Sequence, residues 1–268
     1  MPLPLPELFP DEDYRFHLTL RKGDLAGFFA SPASSVLAER VRWLEADADR
    51  YAAATADAGP LLDEFAPLAA GWNGGGELPA GGDRRELLRA LGRGLEPDFM
   101  LLARDGTGVF RLRAGVICFP SSWALTEKMG RTIDDIHGVV PGLNPALGAT
   151  IGQFLGRIKP GAPYERANWG LAATPELNMH PALGRPRLGL PLDPRRVWVR
   201  IEDQILAALP ATGGILFGIR LRLVPLAELL QDPRLRAGFH RAVVTMPDAL
   251  AAYKAFAPIR RELIEASA

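Results

Sequence analysis

The chain has 268 residues, of which 48% are hydrophobic and 23% charged, and its 31 basic and 31 acidic residues cancel. This size and composition suffice for a substantial core, in one large domain or two small ones. The balanced charge argues against binding to nucleic acid or to an anionic membrane. The single cysteine, Cys118, excludes an intrachain disulfide, a four-thiolate zinc site and an iron–sulfur cluster held by this chain alone.

The start of the chain, MPLPLPELFPDEDYRF, contains prolines and acids where a secretion signal needs a basic start and a continuous apolar stretch. No apolar run approaches the roughly 20 residues that a bilayer-spanning helix needs. With the single cysteine, these features predict a cytoplasmic protein that is neither secreted nor embedded in a membrane.

The first third of the chain is predicted to be helical over residues 31–56, where apolar residues recur at near-helical spacing. Residues 3–29 alternate prolines, acids and short apolar groups, which indicates strands or turns lying on the body of the protein. The glycine-rich segment from Gly71 to Asp83 is predicted to be a surface loop. It lacks the GxGxxG and GK[ST] patterns of phosphate-binding loops, so nucleotide binding is not expected there.

Alternating apolar residues predict a mixed, mainly antiparallel sheet in the second half. Residues 98–104 and 109–119 flank the turn sequence Asp105-Gly106-Thr107-Gly108 and are predicted to form a β-hairpin. Two further strands are predicted over 197–202 and 214–224, and helices beyond Pro225. The fold class is therefore α+β, with helices packed on the sheet.

Between these strands lie three predicted helices, the second of which carries His137. Ser121 or Ser122 can begin the first, which would run to Met129. Thr132 can begin the second, with Asp135 completing a capping box. Gly138 and Pro141 would end that helix, which places His137 near its carboxyl end; the third helix would run from Asn144 to Pro160.

The residues alone leave the chemistry open. None of the four histidines has the spacing of a helical zinc site, no GxSxG elbow is present, and Cys118 has no neighbouring base and reads as a buried hydrophobe. Haem needs only one axial nitrogen, an apolar slot and cations for its propionates. His137, its apolar helices and the arginine-rich strands could supply these, although a histidine near a helix end is also common as a cap or surface group.

Several motifs occur in a recognisable order over about residues 110–226. They are CFPSSW, EKMGR followed by IHGVVPG, RANW, an R-x-E-x-Q strand beginning at Arg200, and ILFGIR. In this order they resemble the bacterial haem-dependent oxidative N-demethylase family. The resemblance implies a PAS-like sheet that binds haem b, with helical amino- and carboxyl-terminal extensions. It implies one haem-binding domain over 1–268, with a core at about 98–226, an extension over 1–97 and terminal helices over 227–268.

The resemblance also implies an activity, namely oxidative removal of a methyl group from a small secondary amine such as dimethylamine. That reaction needs O2 and electrons. Because the chain has one cysteine and no dinucleotide fingerprint, a separate flavin or iron–sulfur reductase is expected as partner. The substrate is expected to be a small nitrogen-containing molecule.

The resemblance assigns roles to individual residues. His137 would be the axial ligand of the haem iron, and Arg220 would be a propionate partner. Arg222, which lies outside the family pattern but shares a strand face with Arg220, is predicted to bind the cofactor as well. In the RANW motif, Arg166 would contact a propionate and Trp169 would wall the pocket.

Two residues are expected to act on the substrate. Asn168 of the RANW motif would orient a water or the substrate amine, or would alternatively satisfy backbone groups within the sheet. Glu202 would hold a cationic amine or relay a proton, or would alternatively pair with Arg200 on a solvated face.

Two departures from the family pattern leave the substrate open. The strand that usually continues with Thr-Tyr has Leu221-Arg222 here, and the segment GLAATPELNMHPALGRPR follows the RANW motif in place of an acidic turn. A redox-neutral haem enzyme acting on an N–O or N–N bond therefore remains an alternative, as does a PAS-like haem sensor without turnover.

Overall fold

A computed structural model of the chain describes residues 2–16, 19–30, 34–72 and 83–268. The helices are α1 (Leu5–Leu8), α2 (Leu25–Phe29), α3 (Ser35–Ala46), α4 (Ala48–Tyr51), α5 (Gly59–Trp72), α6 (Arg84–Gly94), α7 (Ile133–His137), α8 (Ala149–Arg157), α9 (Leu226–Leu229), α10 (Pro233–Thr245), α11 (Asp248–Tyr253) and α12 (Arg260–Ser267). The strands are β1 (Arg21–Lys22), β2 (Ala52–Ala54), β3 (Asp98–Arg104), β4 (Phe110–Val116), β5 (Tyr164–Ala172), β6 (Trp198–Ala208) and β7 (Ile215–Pro225).

These strands form one antiparallel sheet in the order β1-β5-β6-β7-β3-β4-β2. The predicted α+β class with a mainly antiparallel sheet is thus confirmed, and so is the hairpin of β3 and β4. Both edge strands, β1 and β2, come from residues before Asp98. The PAS-like character of the fold and the division into core and extensions stay predictions.

The strands β5, β6 and β7 have two faces, which we name by their side chains. Residues paired across antiparallel strands point to the same face, and neighbours along one strand point to opposite faces. The front face carries Tyr164, Arg166, Asn168, Arg200, Glu202, Gln204, Phe217 and Leu221. The back face carries Ala167, Trp169, Ile201, Asp203, Arg220 and Arg222.

Each face is covered by a different set of helices. On the back face, an apolar core joins Trp169 and Ile201 to residues of α1, α10 and α12. Also on this face, a second core joins β3, β4 and β7 to α2, α3, α5 and α6. On the front face, α7 and α8 pack on one half, where Phe217 and Tyr164 contact the cluster around Ile151. Burial of these apolar surfaces is the main favourable contribution to the fold.

Two of the predicted helices are shorter than expected. The helix predicted over 31–56 ends at Ala46, because the Asp47 side chain accepts a hydrogen bond from the amide of Arg50 and begins a new turn. Residues 52–54 then pair with β4, so the periodicity continues into a strand. Between Ser121 and Met129 only a 3-10 turn forms, at Leu125–Glu127.

Two other helix predictions are confirmed. The helix predicted from Asn144 is present, with a π-helical first turn at Asn144–Gly148. Helices follow Pro225, as predicted. The predicted glycine-rich loop lies mostly outside the described residues, as does His17.

Candidate functional site

His137 is the last residue of α7, the helix whose Ile133 and Ile136 pack on the front face. The capping box predicted for this helix is present, with Thr132 Oγ1 accepting from the amide of Asp135 and the Asp135 carboxylate accepting from the amide of Thr132. Within the described ranges the buried Nδ1 atom of His137 has no hydrogen-bond partner. Burial, helped by the positive charge of Arg166, lowers the pKa of His137 below its ordinary value of 6.5. The imidazole is therefore neutral at pH 7, the form that binds a metal ion.

Arg166 lies half-buried on the front face, near His137. Its guanidinium makes no hydrogen bond or ion pair with another described residue. Burial lowers the pKa of Arg166, while the charges of Glu202 and Tyr14 act in the opposite direction. In turn burial raises the pKa of Tyr14 to about 12, although the charge of Arg166 opposes this shift. A half-buried guanidinium that forms no ion pair is a natural place for an anionic group of a ligand.

Glu202 is held from two sides. Ser121 Oγ donates to Glu202 Oε1 at 2.7 Å, and Gln204 Nε2 donates to Glu202 Oε2 at 3.0 Å. The bond from Gln204 follows from the sequence pattern, because alternate residues of a strand share a face, whereas the bond from Ser121 depends on the packing of the CFPSSW segment over that face. The carboxylate therefore has a fixed orientation before any ligand binds.

Arg200 connects the segment that carries Ser121 to the sheet. Arg200 is 4% exposed, and its Nε donates to Ser121 Oγ at 2.9 Å. Its Nη2 donates to the carbonyls of Phe119 at 2.7 Å and Leu177 at 2.8 Å. An Arg200–Glu202 pair on a solvated face, the alternative suggested by the sequence, is not present among these bonds.

Asn168 and Lys254 complete the front-face group. Asn168 is exposed and pairs in register with Glu202. Lys254, directly after α11, reaches the edge of β5, where its Nζ lies 3.5 Å from Asn168 Oδ1 and donates to the carbonyl of Trp169. Burial lowers the pKa of Lys254 to about 8, Glu202 opposes that shift and Arg166 adds to it. Sequence reasoning missed Lys254, since a single lysine in a terminal helix carries no pattern.

Three predicted cofactor-binding residues lie on the back face. Trp169 packs against the rings of Phe9 and Phe239, with centroid distances of 5.1 and 5.9 Å. Arg222 Nη2 donates to Asp203 Oδ1 and to the carbonyl of Leu3, both at 2.9 Å.

Arg220 is the third of these residues. Its Nε lies 3.3 Å from Glu96 Oε1, and its Nη2 donates to the carbonyl of Ala30.

The structure therefore brings His137, Arg166, Asn168 and Glu202 together on the front face, and leaves Trp169, Arg220 and Arg222 apart from them.

Two observations on the described residues bear on binding. No three histidine, cysteine, aspartate or glutamate side chains among them lie close enough together to hold a metal ion. None of the helices in these ranges is long and apolar enough to span a bilayer.

The comparison with protein families identifies the chain. The sequence model of the haem-dependent oxidative N-demethylase, alpha subunit-like family matches residues 71–264, nearly three quarters of the chain. The matched region contains the front-face residues His137, Arg166 and Glu202, and also Lys254. The chain belongs to the haem-dependent oxidative N-demethylase, alpha subunit-like family.

Proposed function

We propose that this chain binds haem b on the front face, with His137 as axial ligand, and that it oxidises a small amine or related nitrogen compound. The proposal includes O2 as oxidant, a separate flavin or iron–sulfur reductase as electron source, and a single haem-binding domain with a PAS-like sheet. It rests on the family match and on one observation above all. A neutral histidine with a buried, unpartnered Nδ1 among the described residues lies beside a guanidinium without a carboxylate partner in the same ranges.

The residues of the front face fit a haem group in three respects. The neutral imidazole of His137 can bind iron through a ring nitrogen. Arg166 offers a planar cation to a propionate. Ile219 and Leu221 add apolar surface on the same face, next to the polar group around Glu202. When bound, haem would supply an iron centre that activates O2 with electrons from the reductase.

The chain's own residues would bind and orient the substrate. Glu202 keeps a fixed carboxylate through Ser121 and Gln204, so it can accept a hydrogen bond from the N–H of an amine and take up its proton. Asn168, exposed beside it, can donate or accept a hydrogen bond at the same substrate. Leu221 pairs in register with Glu202, so the departure from the family pattern at this position lies at the proposed substrate site.

The first test is a haem titration of the purified chain followed by its Soret absorption. We expect the wild type to bind haem, and His137→Ala to lose the absorption band or shift it strongly. His240→Ala is the matched control, because His240 is also half-buried but contacts Ser267 in the carboxyl-terminal helices. An unchanged spectrum of the His137→Ala protein would remove His137 from the proposal.

The second test distinguishes an amine-oxidising enzyme from a redox-neutral haem enzyme and from a haem sensor. The haem-loaded chain, a flavin-type reductase and a panel of secondary amines should consume O2 and release formaldehyde, and Glu202→Gln should lower that rate at least about tenfold. Turnover of an N–O or N–N substrate without O2 or reductant would indicate the redox-neutral enzyme. Gas binding with no turnover of either kind would indicate a sensor.

A further inference from the structure

Lys254 is held at the edge of β5 by fixed partners. Among the described residues β1 pairs only with the first two residues of β5, so the backbone from Arg166 onwards is open on that side. Lys254 Nζ donates to the open carbonyl of Trp169 and lies 5.2 Å from the centroid of the Trp169 ring. A surface lysine normally extends its amine into water. Lys254 instead directs its amine to the sheet edge, beside Asn168.

The charges around Lys254 come from three elements. Among the described residues, Glu202 of β6 is the carboxylate that acts on it, Arg166 of β5 is a like charge, and Tyr253 of α11 lies next to it in sequence. Burial, helped by the charge of Glu202, raises the pKa of Tyr253, which keeps that phenol neutral at pH 7. Lys254 and Glu202 are therefore electrostatically coupled at the front face.

Two residues next to this group have a strained backbone. Ser122 and Ala255 are the two non-glycine residues in the described ranges with a left-handed φ, at 65° and 62°. Each costs about 1–2 kcal/mol relative to an ordinary conformation. Ser122 directly follows Ser121, which binds Glu202, and Ala255 directly follows Lys254. At Ala255 the left-handed conformation ends α11, where the amide of Phe256 donates to the carbonyl of Ala251, and it fixes the backbone that carries Lys254.

We propose that Lys254 is a positioning residue of the Glu202 site. It acts on Asn168 by occupying Oδ1, which leaves the amide N–H groups to donate to a bound substrate. It acts on Glu202 through attraction between the two charges, which favours a fixed placement of the ammonium and the carboxylate relative to each other. The inference rests on the proposed function, and it adds that the site works only while Lys254 carries its proton.

The coupling can be measured without haem or turnover. The chain has four lysines, so selective 13C labelling of lysine gives four Cε signals, and Lys254→Met identifies one of them. We expect the Lys254 signal to titrate near the value of about 8, and to titrate lower still in Glu202→Gln, because the carboxylate raises the pKa of Lys254. If the Lys254 signal gives the same pKa as the other three lysines, and that pKa does not change in Glu202→Gln, the inference is overturned.

Activity supplies a second readout. The kcat/KM of the wild type should fall above about pH 8, where Lys254 loses its proton. Lys254→Arg should keep the activity and lose this alkaline decline, because the guanidinium stays protonated. Lys254→Met should lower kcat/KM about tenfold near neutral pH, mainly through KM, and should also lose the decline. Lys159→Met, at an exposed position, is the matched control and should keep the wild-type profile.

The outcomes separate the two proposals. If the wild type turns over amines and Lys254→Arg retains the alkaline decline, the inference about Lys254 fails and the proposed function stands. If the NMR titration shows that the pKa of Lys254 depends on Glu202, but the wild type neither binds haem nor consumes O2, the proposed function fails instead. Should Lys254→Met not fold, the Lys254→Arg profile and the wild-type titration still decide.

Discussion

The two faces of strands β5 to β7 carry similar residues, but these residues differ in whether their side chains have bonding partners. On the back face, Arg222 binds Asp203 and the carbonyl of Leu3, and Trp169 is packed between aromatic rings. On the front face, Arg166 has no carboxylate partner and His137 has no partner for its Nδ1 within the described ranges. Polar groups that are left unpaired inside a fold cost free energy. Arg222 and Trp169 on the back face therefore stabilise the fold, whereas Arg166 and His137 on the front face are available for a ligand.

The largest expected effect is on the back face. Replacing Arg222 by Met removes the partner of Asp203, whose side chain is 9% exposed, and the bond to the carbonyl of Leu3. An almost buried carboxylate without its partner should lower the free energy of unfolding by about 3 kcal/mol. Urea denaturation followed by circular dichroism measures the change. A loss near zero would mean that this ion pair does not hold the amino terminus to the sheet.

The matched substitution on the front face should behave in the opposite way. Arg166→Met removes a half-buried charge that forms no ion pair with a described carboxylate, so the free energy of unfolding should change by less than about 1 kcal/mol. Haem affinity should fall by about tenfold or more, because a propionate loses its cation. Denaturation and haem titration of the same preparation test both statements. Destabilisation as large as that of Arg222→Met would show that the two faces do not differ.

A third prediction concerns the strain next to Lys254. Ala255→Gly should raise the free energy of unfolding by about 1 kcal/mol, because glycine adopts the left-handed conformation without the Cβ penalty. Ala252→Gly, the same change inside α11, should lower it by a similar amount. Thermal unfolding of the two variants against the wild type gives the answer. Equal losses in both would indicate that Ala255 is not strained.

The smallest effect is the pH dependence contributed by His137. Its pKa in the folded chain is lowered, so the unfolded chain takes up a proton first as the pH falls through the ordinary value of 6.5. The wild type should therefore lose stability relative to His137→Asn, by less than about 1 kcal/mol between about pH 7.5 and about pH 5. Urea denaturation of both proteins at the two pH values measures the difference. A constant difference would mean that His137 is not held neutral by the fold.

Local signals in the sequence predicted much of the fold. The hairpin of β3 and β4 follows from its turn sequence, and the capping box of α7 from the spacing of Thr132 and Asp135. The alternation along RANW also predicts which of its side chains share a face of the sheet. Neighbours in a strand face opposite ways, so Asn168 and Trp169 could not both line one pocket.

Other features depend on contacts that the sequence does not encode locally. The face on which Arg220 and Arg222 lie is set by the register of β7 against β6. Lys254 lies 86 residues from Asn168 along the chain, and only the packing of α11 at the edge of β5 brings the two together. The helix predicted over 31–56 was wrong beyond Tyr51, because pairing with β4 overrides the local periodicity at residues 52–54.

The position of Arg200 makes the orientation of Glu202 dependent on two distant stretches of chain. One guanidinium holds the carbonyls of Phe119 and Leu177 together with the hydroxyl of Ser121, and that hydroxyl also holds Glu202. Displacing the Ser121 segment outwards would release both bonds of the hydroxyl at once. Among the described residues the carboxylate would then keep only the bond from Gln204, and it would be free to turn about that bond.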